Sequence, residues 1–195
     1  MSRTRLYPLG LLGSCLLFAC GASPPTRYFA LNAIAPASAS TAAAVEPAVK
    51  IRLEPVAIPP ELDRLELVTH NGTNRVQIAD SDRWAAPLDE QIRRTLSDDL
   101  SARLPEHLVA DPNEPTTQDP RRKLSISIGQ LDINQSCAVL LSASWTLSVT
   151  KAPGQSGVEH LQIPGGAACP AGMAAAISQA LAALADRLLP VLTQP

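Results

Sequence analysis

The sequence predicts an α/β fold: a mixed β-sheet of several strands packed with two long amphipathic helices, in a single domain. Three observations carry this. Residues 141–149 alternate strictly between apolar side chains and hydroxyls, the period of a half-buried strand. Residues 87–104 and 170–189 each place leucines, isoleucines or methionine at helical spacing. The chain has 195 residues with 46% hydrophobic content, enough for one compact core.

The same arithmetic excludes several classes. With 17% charged residues the chain is not disordered throughout. A net charge of -2 and only 3% aromatics leave neither a basic face nor a stacking platform, so no nucleic-acid partner is expected.

The elements follow in chain order. Arg3 and Arg5 precede an apolar run over residues 6–19. It is too short for a bilayer span, which needs about 20 apolar residues, and fits the core of an export signal. The run ends Leu17-Phe18-Ala19-Cys20, which resembles a bacterial lipobox. Residues 1–19 are therefore read as a lipoprotein signal peptide and Cys20 as the lipidation site. Leu12-Gly13-Ser14-Cys15 is a competing box with a much shorter apolar stretch, and an ordinary signal peptide with a chance cysteine is the plainer reading. Gly21, where some bacteria use Asp to retain lipoproteins at the inner membrane, favours the outer membrane. Residues 20–48 are rich in Ala, Ser and Pro and read as a flexible tether reaching about 25 to 30 Å. Within it, Arg27-Tyr28-Phe29-Ala30-Leu31 stands out as a piece that either docks on the domain or a partner, or packs loosely as an edge strand. The domain proper is placed at 49–195. No second stretch is expected to reach spanning length, so this part reads as a soluble domain on a lipid anchor.

Val49, Ile51 and Leu53 alternate with charged residues as a strand, ended by Pro55 and Pro59-Pro60. Residues 65–69 and 75–78 flank Asn71-Gly72, a hairpin signal. Pro87 opens the first helix, with Asp89 and Glu90 at its positive end, and Pro105 stops it. Leu88, Ile92, Leu96 and Leu100 form its buried stripe. Asp89/Arg93, Glu90/Arg94 and Asp99/Arg103 are read as i,i+4 pairs on the wet face. Residues 111–120 form a loop. Leu124, Ile126 and Ile128 begin a strand whose phase slips at Gly129-Gln130, the mark of a bulge, before Leu131 and Ile133. Ala152-Pro153-Gly154 is read as a turn into a strand over 158–163, and Asn134-Gln135-Ser136 as turn chemistry. The last helix carries Met173, Ile177, Leu181, Leu184 and Leu188 on one face and is expected to stop at Pro190. Whether the two helices cover one sheet face or both is open.

With Cys15 in the signal and Cys20 acylated, Cys137 and Cys169 remain in an oxidising compartment. A disulfide between them is the economical reading, two free buried thiols the alternative. It would be worth about 3 to 4 kcal/mol in the chain-entropy model.

Catalytic patterns are missing from the sequence. His70, His107 and His160 have no His or Cys at metal-ligand spacing. There is no nucleophile elbow and no phosphate-binding loop. Asp98 and Asp99 are adjacent on a helix and point apart. The expectation is a protein without catalytic residues, cofactor or metal.

The lipobox Cys followed by Ser23 to Leu31, then Ile58-Pro59-Pro60-Glu61-Leu62-Asp63-Arg64, then Arg83-Trp84-Ala85-Ala86-Pro87-Leu88 opening a helix, resembles the PqiC/YmbA lipoproteins. The strand through Ser144-Trp145 and the small-residue helix at the C-terminus fit as well. The resemblance covers essentially the whole mature chain. Phe29 stands where the family pattern has a second Tyr, and Cys137/Cys169 lie outside that pattern. The resemblance implies a non-enzymatic auxiliary lipoprotein on the periplasmic face of the outer membrane. It would work with a PqiB-like MCE-domain protein that spans the periplasm, in moving phospholipid or other hydrophobic molecules, with ring-like self-association as a further implication. A stand-alone lipoprotein that binds a small hydrophobic ligand and a structural envelope lipoprotein are the alternatives. Arg83 and Trp84 are the first candidates for partner contact, as exposed Trp and Arg are common interface anchors; Trp84 as a buried helix-entry staple is the competing reading. Leu62 and Arg64 come next, against a loop that merely packs on the sheet.

Overall fold

The structure is a computed structural model that describes residues 24–36, 50–71, 74–104, 109–110, 122–166 and 169–194. The elements are β1 (Arg27–Phe29), β2 (Ile51–Leu53), a single 3-10 turn (Pro60–Leu62), β3 (Glu66–His70), β4 (Val76–Trp84), α1 (Leu88–Arg103), β5 (Arg122–Ile133), β6 (Val139–Val149), β7 (Ala152–Ile163) and α2 (Ala171–Leu192). The α/β class holds, and the strands divide into two sheets, ordered β1-β4-β3 and β2-β5-β6-β7. Each is mixed, because β1 joins β4 and β2 joins β5 in parallel while the other pairs are antiparallel. A bridge between His70 and Asn134 links the sheets.

The dry side of the larger sheet is set by alternation. Leu124, Ile126, Ile128, Leu131 and Ile133 on β5, and Val139, Leu141, Ala143, Trp145 and Leu147 on β6, are buried. The register shift between Ile128 and Gln130 returns Leu131 to the inward side, as the slipped pattern predicted. α2 packs on β6 and β7, and α1 packs on α2. Both helices thus belong to one face. The opposite face, with Ser125, Ser127, Ser144, Thr146 and Ser148, is exposed among the described residues.

Several expectations are corrected. The turn before β7 is at Thr150-Lys151, where Lys151 takes φ 66°, and Ala152-Pro153-Gly154 lies inside the strand. α2 runs through Pro190 to Leu192. A proline in the last turn removes one hydrogen bond, while burial of Leu188 and Leu192 and the bond from Thr193 N–H to the Leu189 carbonyl hold the turn closed. α2 is also long and apolar enough to cross a membrane, contrary to the sequence reading, but 56% of its apolar window is buried in the fold. It is the central core helix. Residues 24–36, assigned to the tether, are part of the folded body: β1 pairs with β4 and Leu31 is buried in the core. The loop over 111–120 and the tether over 37–48 lie outside the described residues.

Asn134 caps its own turn. Its Oδ1 accepts from the Ser136 and Ala138 N–H groups and the Ser136 hydroxyl. Cys137 follows with φ 58°, and its sulfur is bonded to that of Cys169, with Cα atoms 5.8 Å apart. This ties the β5–β6 turn to the entry of α2.

Candidate functional site

The most elaborate polar architecture holds the N-terminal segment. After β1 the chain runs extended between α1 and α2, where it has no strand to pair with. Its backbone groups are satisfied by side chains instead. Leu31 N–H donates to Gln91 Oε1 at 3.0 Å, Asn32 N–H to Ser178 Oγ at 3.1 Å and Ile34 N–H to Asp99 Oδ1 at 2.8 Å. The Ile34 carbonyl accepts from Arg103 Nη1 at 2.9 Å. Gln91 is itself positioned by donating to the Ala86 carbonyl.

Arg103 is the hub. Its Nη1 also reaches Asp99 Oδ1 at 3.2 Å, and its Nε donates to Asp186 Oδ1 of α2 at 2.6 Å. The side chains of Arg103 and Asp99 are 2% and 0% exposed, whereas Asp186 is 56% exposed. The Asp99/Arg103 pair is therefore inside and not on the wet face, a further correction of the sequence reading. The reason is the strap: the segment 31–34 lies over this side of α1 and replaces water. Burial pushes the Asp99 carboxyl above its ordinary value, against the Ile34 amide and Arg103, which favour the charged form. Among the described residues, Asp99 Oδ2 has no hydrogen-bond partner.

β1 is pinned at its start by a bidentate pair, Arg27 Nε and Nη2 to the Asp82 carboxylate at 2.6 and 2.8 Å. Asp82 holds the guanidinium of Arg27 above its ordinary pKa, chiefly through this hydrogen bond. Cross-strand neighbours share a face. Phe29 faces Trp84, and both pack on the core. Tyr28 faces Arg83, and Arg83 faces Glu66, so this second row points outward. Tyr28 is 67% exposed, and Arg83 reaches Glu66 at 3.4 Å.

The sequence candidates thus separate. Trp84 is 3% exposed and Leu62 4% exposed, so neither offers its side chain to a partner. Trp84 is buried because it ends β4 on the inward side beside Phe29. Leu62 is buried because the 3-10 turn folds it under. Arg83 and Arg64 are accessible. Cys20 lies outside the described residues.

Among Gln91, Asp99, Arg103 and Ser178, the sequence marks only Asp99 and Arg103, and those as a solvated pair. A signal for the first three exists: 91, 95, 99 and 103 form an i,i+4 series one residue behind the stripe 88, 92, 96 and 100, so a wider buried face includes both.

A surface cleft of ≈ 480 Å³ lies between residues 52–56 and the start of α1. Arg52, Glu54, Asp89, Glu90 and Arg93 line it. Leu53, Pro55, Val56 and Pro87 complete the lining, which is thus mixed polar and apolar.

Residues 29–188 match the family described as ABC-type transport auxiliary lipoprotein component. Over 96 residues the chain is 30% identical to the intermembrane transport lipoprotein PqiC of Escherichia coli strain K12, covering 49% of this chain and 50% of that protein. The chain thus spans about half the length of the curated relatives it matches. The crystal structure of an uncharacterized protein superposes with a TM-score of 0.71 at 22% identity, covering 87% of this chain and 99% of that one. The crystal structure of XCC0632 from Xanthomonas campestris gives 0.62 at 15% identity, covering 84% and 92%. Both likenesses are of fold.

Proposed function

From this chain's membership of the ABC-type transport auxiliary lipoprotein component family, we propose that it is a non-catalytic accessory subunit of an MCE-type intermembrane lipid transport system. The carrying observation is the family match from residue 29 to residue 188, which takes in both the docked strap and the core helix. The likeness to PqiC, an intermembrane transport lipoprotein, supports the same reading. Acyl chains on Cys20 anchor the protein to the periplasmic face of the outer membrane. More than one chain is needed for a stable anchor, which triacylation of a lipobox cysteine supplies. The partner is a periplasm-spanning, PqiB-like MCE-domain protein, and copies of the lipoprotein assemble in a ring around its end.

Affinity capture of the full-length lipidated protein from envelope extracts, read by mass spectrometry, tests this. An MCE-domain protein is expected in the capture. Cys20→Ala is expected to leave the membrane fraction while keeping its fold. Capture of co-purifying lipid with no MCE-domain protein would overturn the subunit reading in favour of a stand-alone lipid binder.

A further inference from the structure

We propose that the outer face of the β1-β4-β3 sheet around Tyr28 rests on the phospholipid surface of the membrane that holds the anchor. The inference depends on acylation of Cys20 as proposed above. Its premise is the docking of β1. Because Arg27 is fixed on Asp82, the free leash is not the stretch 20–48 but only the residues from Cys20 to Arg27. Fully extended, that length reaches about 25 Å. It includes Pro24-Pro25, which favour extended chain and limit folding back. A single domain of this size is about 40 Å across. The leash is shorter than the body it holds, so the domain cannot turn its far side to the bilayer. The surface around β1 stays next to it.

The chemistry of that surface fits a headgroup layer. Tyr28 is 67% exposed and heads the outward row that continues through Arg83 and Glu66. Tyrosine places an apolar ring and a polar hydroxyl at the depth where a bilayer changes from hydrocarbon to water. Charge contributes little here. Arg27 is already paired with Asp82 and Arg83 with Glu66, while Arg64 has Asp63 as its neighbour in sequence. The contact is therefore apolar and interfacial, not polybasic, and it withstands salt. Arg64 and Arg83 border the bilayer on this arrangement, and the transport partner meets another face.

The test uses full-length lipidated protein in vesicles of phosphatidylethanolamine with a minority of phosphatidylglycerol. A photoreactive benzophenone amino acid replaces Tyr28 in one variant and Ser156, on the outer edge of the other sheet, in a second. Flotation with the vesicles is measured first; failure to float would refute the anchor and not merely the seating. In floating protein, irradiation is expected to give several-fold more phospholipid adducts at 28 than at 156, unchanged at ~0.5 M salt. A flexible insert of about 20 residues after Gly21 should keep flotation and abolish that difference. Equal lipid adducts at both positions, or adducts at 28 to protein in place of lipid, would overturn the proposal.

Discussion

Arg103 carries a permanent charge at a place where water does not reach, and three elements converge on it: α1 through Asp99, α2 through Asp186 and the strap through Ile34. Such a group is costly to bury and more costly to leave unpaired. Arg103→Met should lower stability by about 3–5 kcal/mol, because Asp99 loses its counter-charge. Urea unfolding of the disulfide-bonded protein measures this, and Arg103→Met combined with Asp99→Leu should recover much of the loss. The raised pKa of Asp99 has its own signature. The folded protein holds that proton more tightly than the unfolded chain does. The resulting stability is complete below the ordinary carboxylate range and is lost as pH rises through the raised value. Asp99→Asn should flatten this descending limb in urea titrations over a pH series. Charge spacing alone reads Asp99/Arg103 as solvated, since i,i+4 pairs usually are. Only the leucine stripe beside it, which the pair widens, points inward.

β-strand period made the larger sheet legible almost residue by residue. Even the bulge at Gly129 appears as a slip in the apolar pattern. The short β2 shows in the alternation of Ile51 and Leu53 with charged neighbours, whereas β1 gives no such signal, since its place comes from a parallel partner far along the chain. The Pro-Gly in β7 reads as a turn because local turn chemistry is indifferent to an edge strand's freedom to carry proline. Trp145 and Gly157 show a further nonlocal constraint. They are register partners, and a Cβ at 157 would stand 2.7 Å from the indole Cζ2. Gly157→Ala should cost about 1–3 kcal/mol through this overpacking and alter near-ultraviolet dichroism. The disulfide acts on the same sheet from its turn end. Replacing Cys137 and Cys169 by Ser should lower stability by about 3–4 kcal/mol, the chain-entropy value for a separation of 32 residues, as read in thermal or urea unfolding.

At the scale of the whole molecule, the main difference from the sequence reading is where the body begins. Composition places the border at residue 49, since Ala, Ser and Pro dominate what precedes it. The strap escapes that reading because side chains on distant helices, and not its own pattern, hold it. Hydrogen exchange distinguishes the two cases directly. The amides of Leu31, Asn32 and Ile34 should be protected like core amides, and Arg103→Met should release Ile34 ahead of global unfolding. Of the candidate contact residues, Arg83 is accessible, while Trp84 follows the competing reading of a buried residue at the helix entry, its register with Phe29 adding what no local motif encodes.

The strap also imposes an order of events. Asn32 binds Ser178 across 146 residues of sequence, and α2 is the last element of the chain. Closure of so long a loop comes late in folding. The Asn32 contact is therefore made only when the final helix arrives, although β4 and α1 already supply partners to Arg27, Leu31 and Ile34. Protection of the Asn32 amide is thus a readout of whether the last helix is seated.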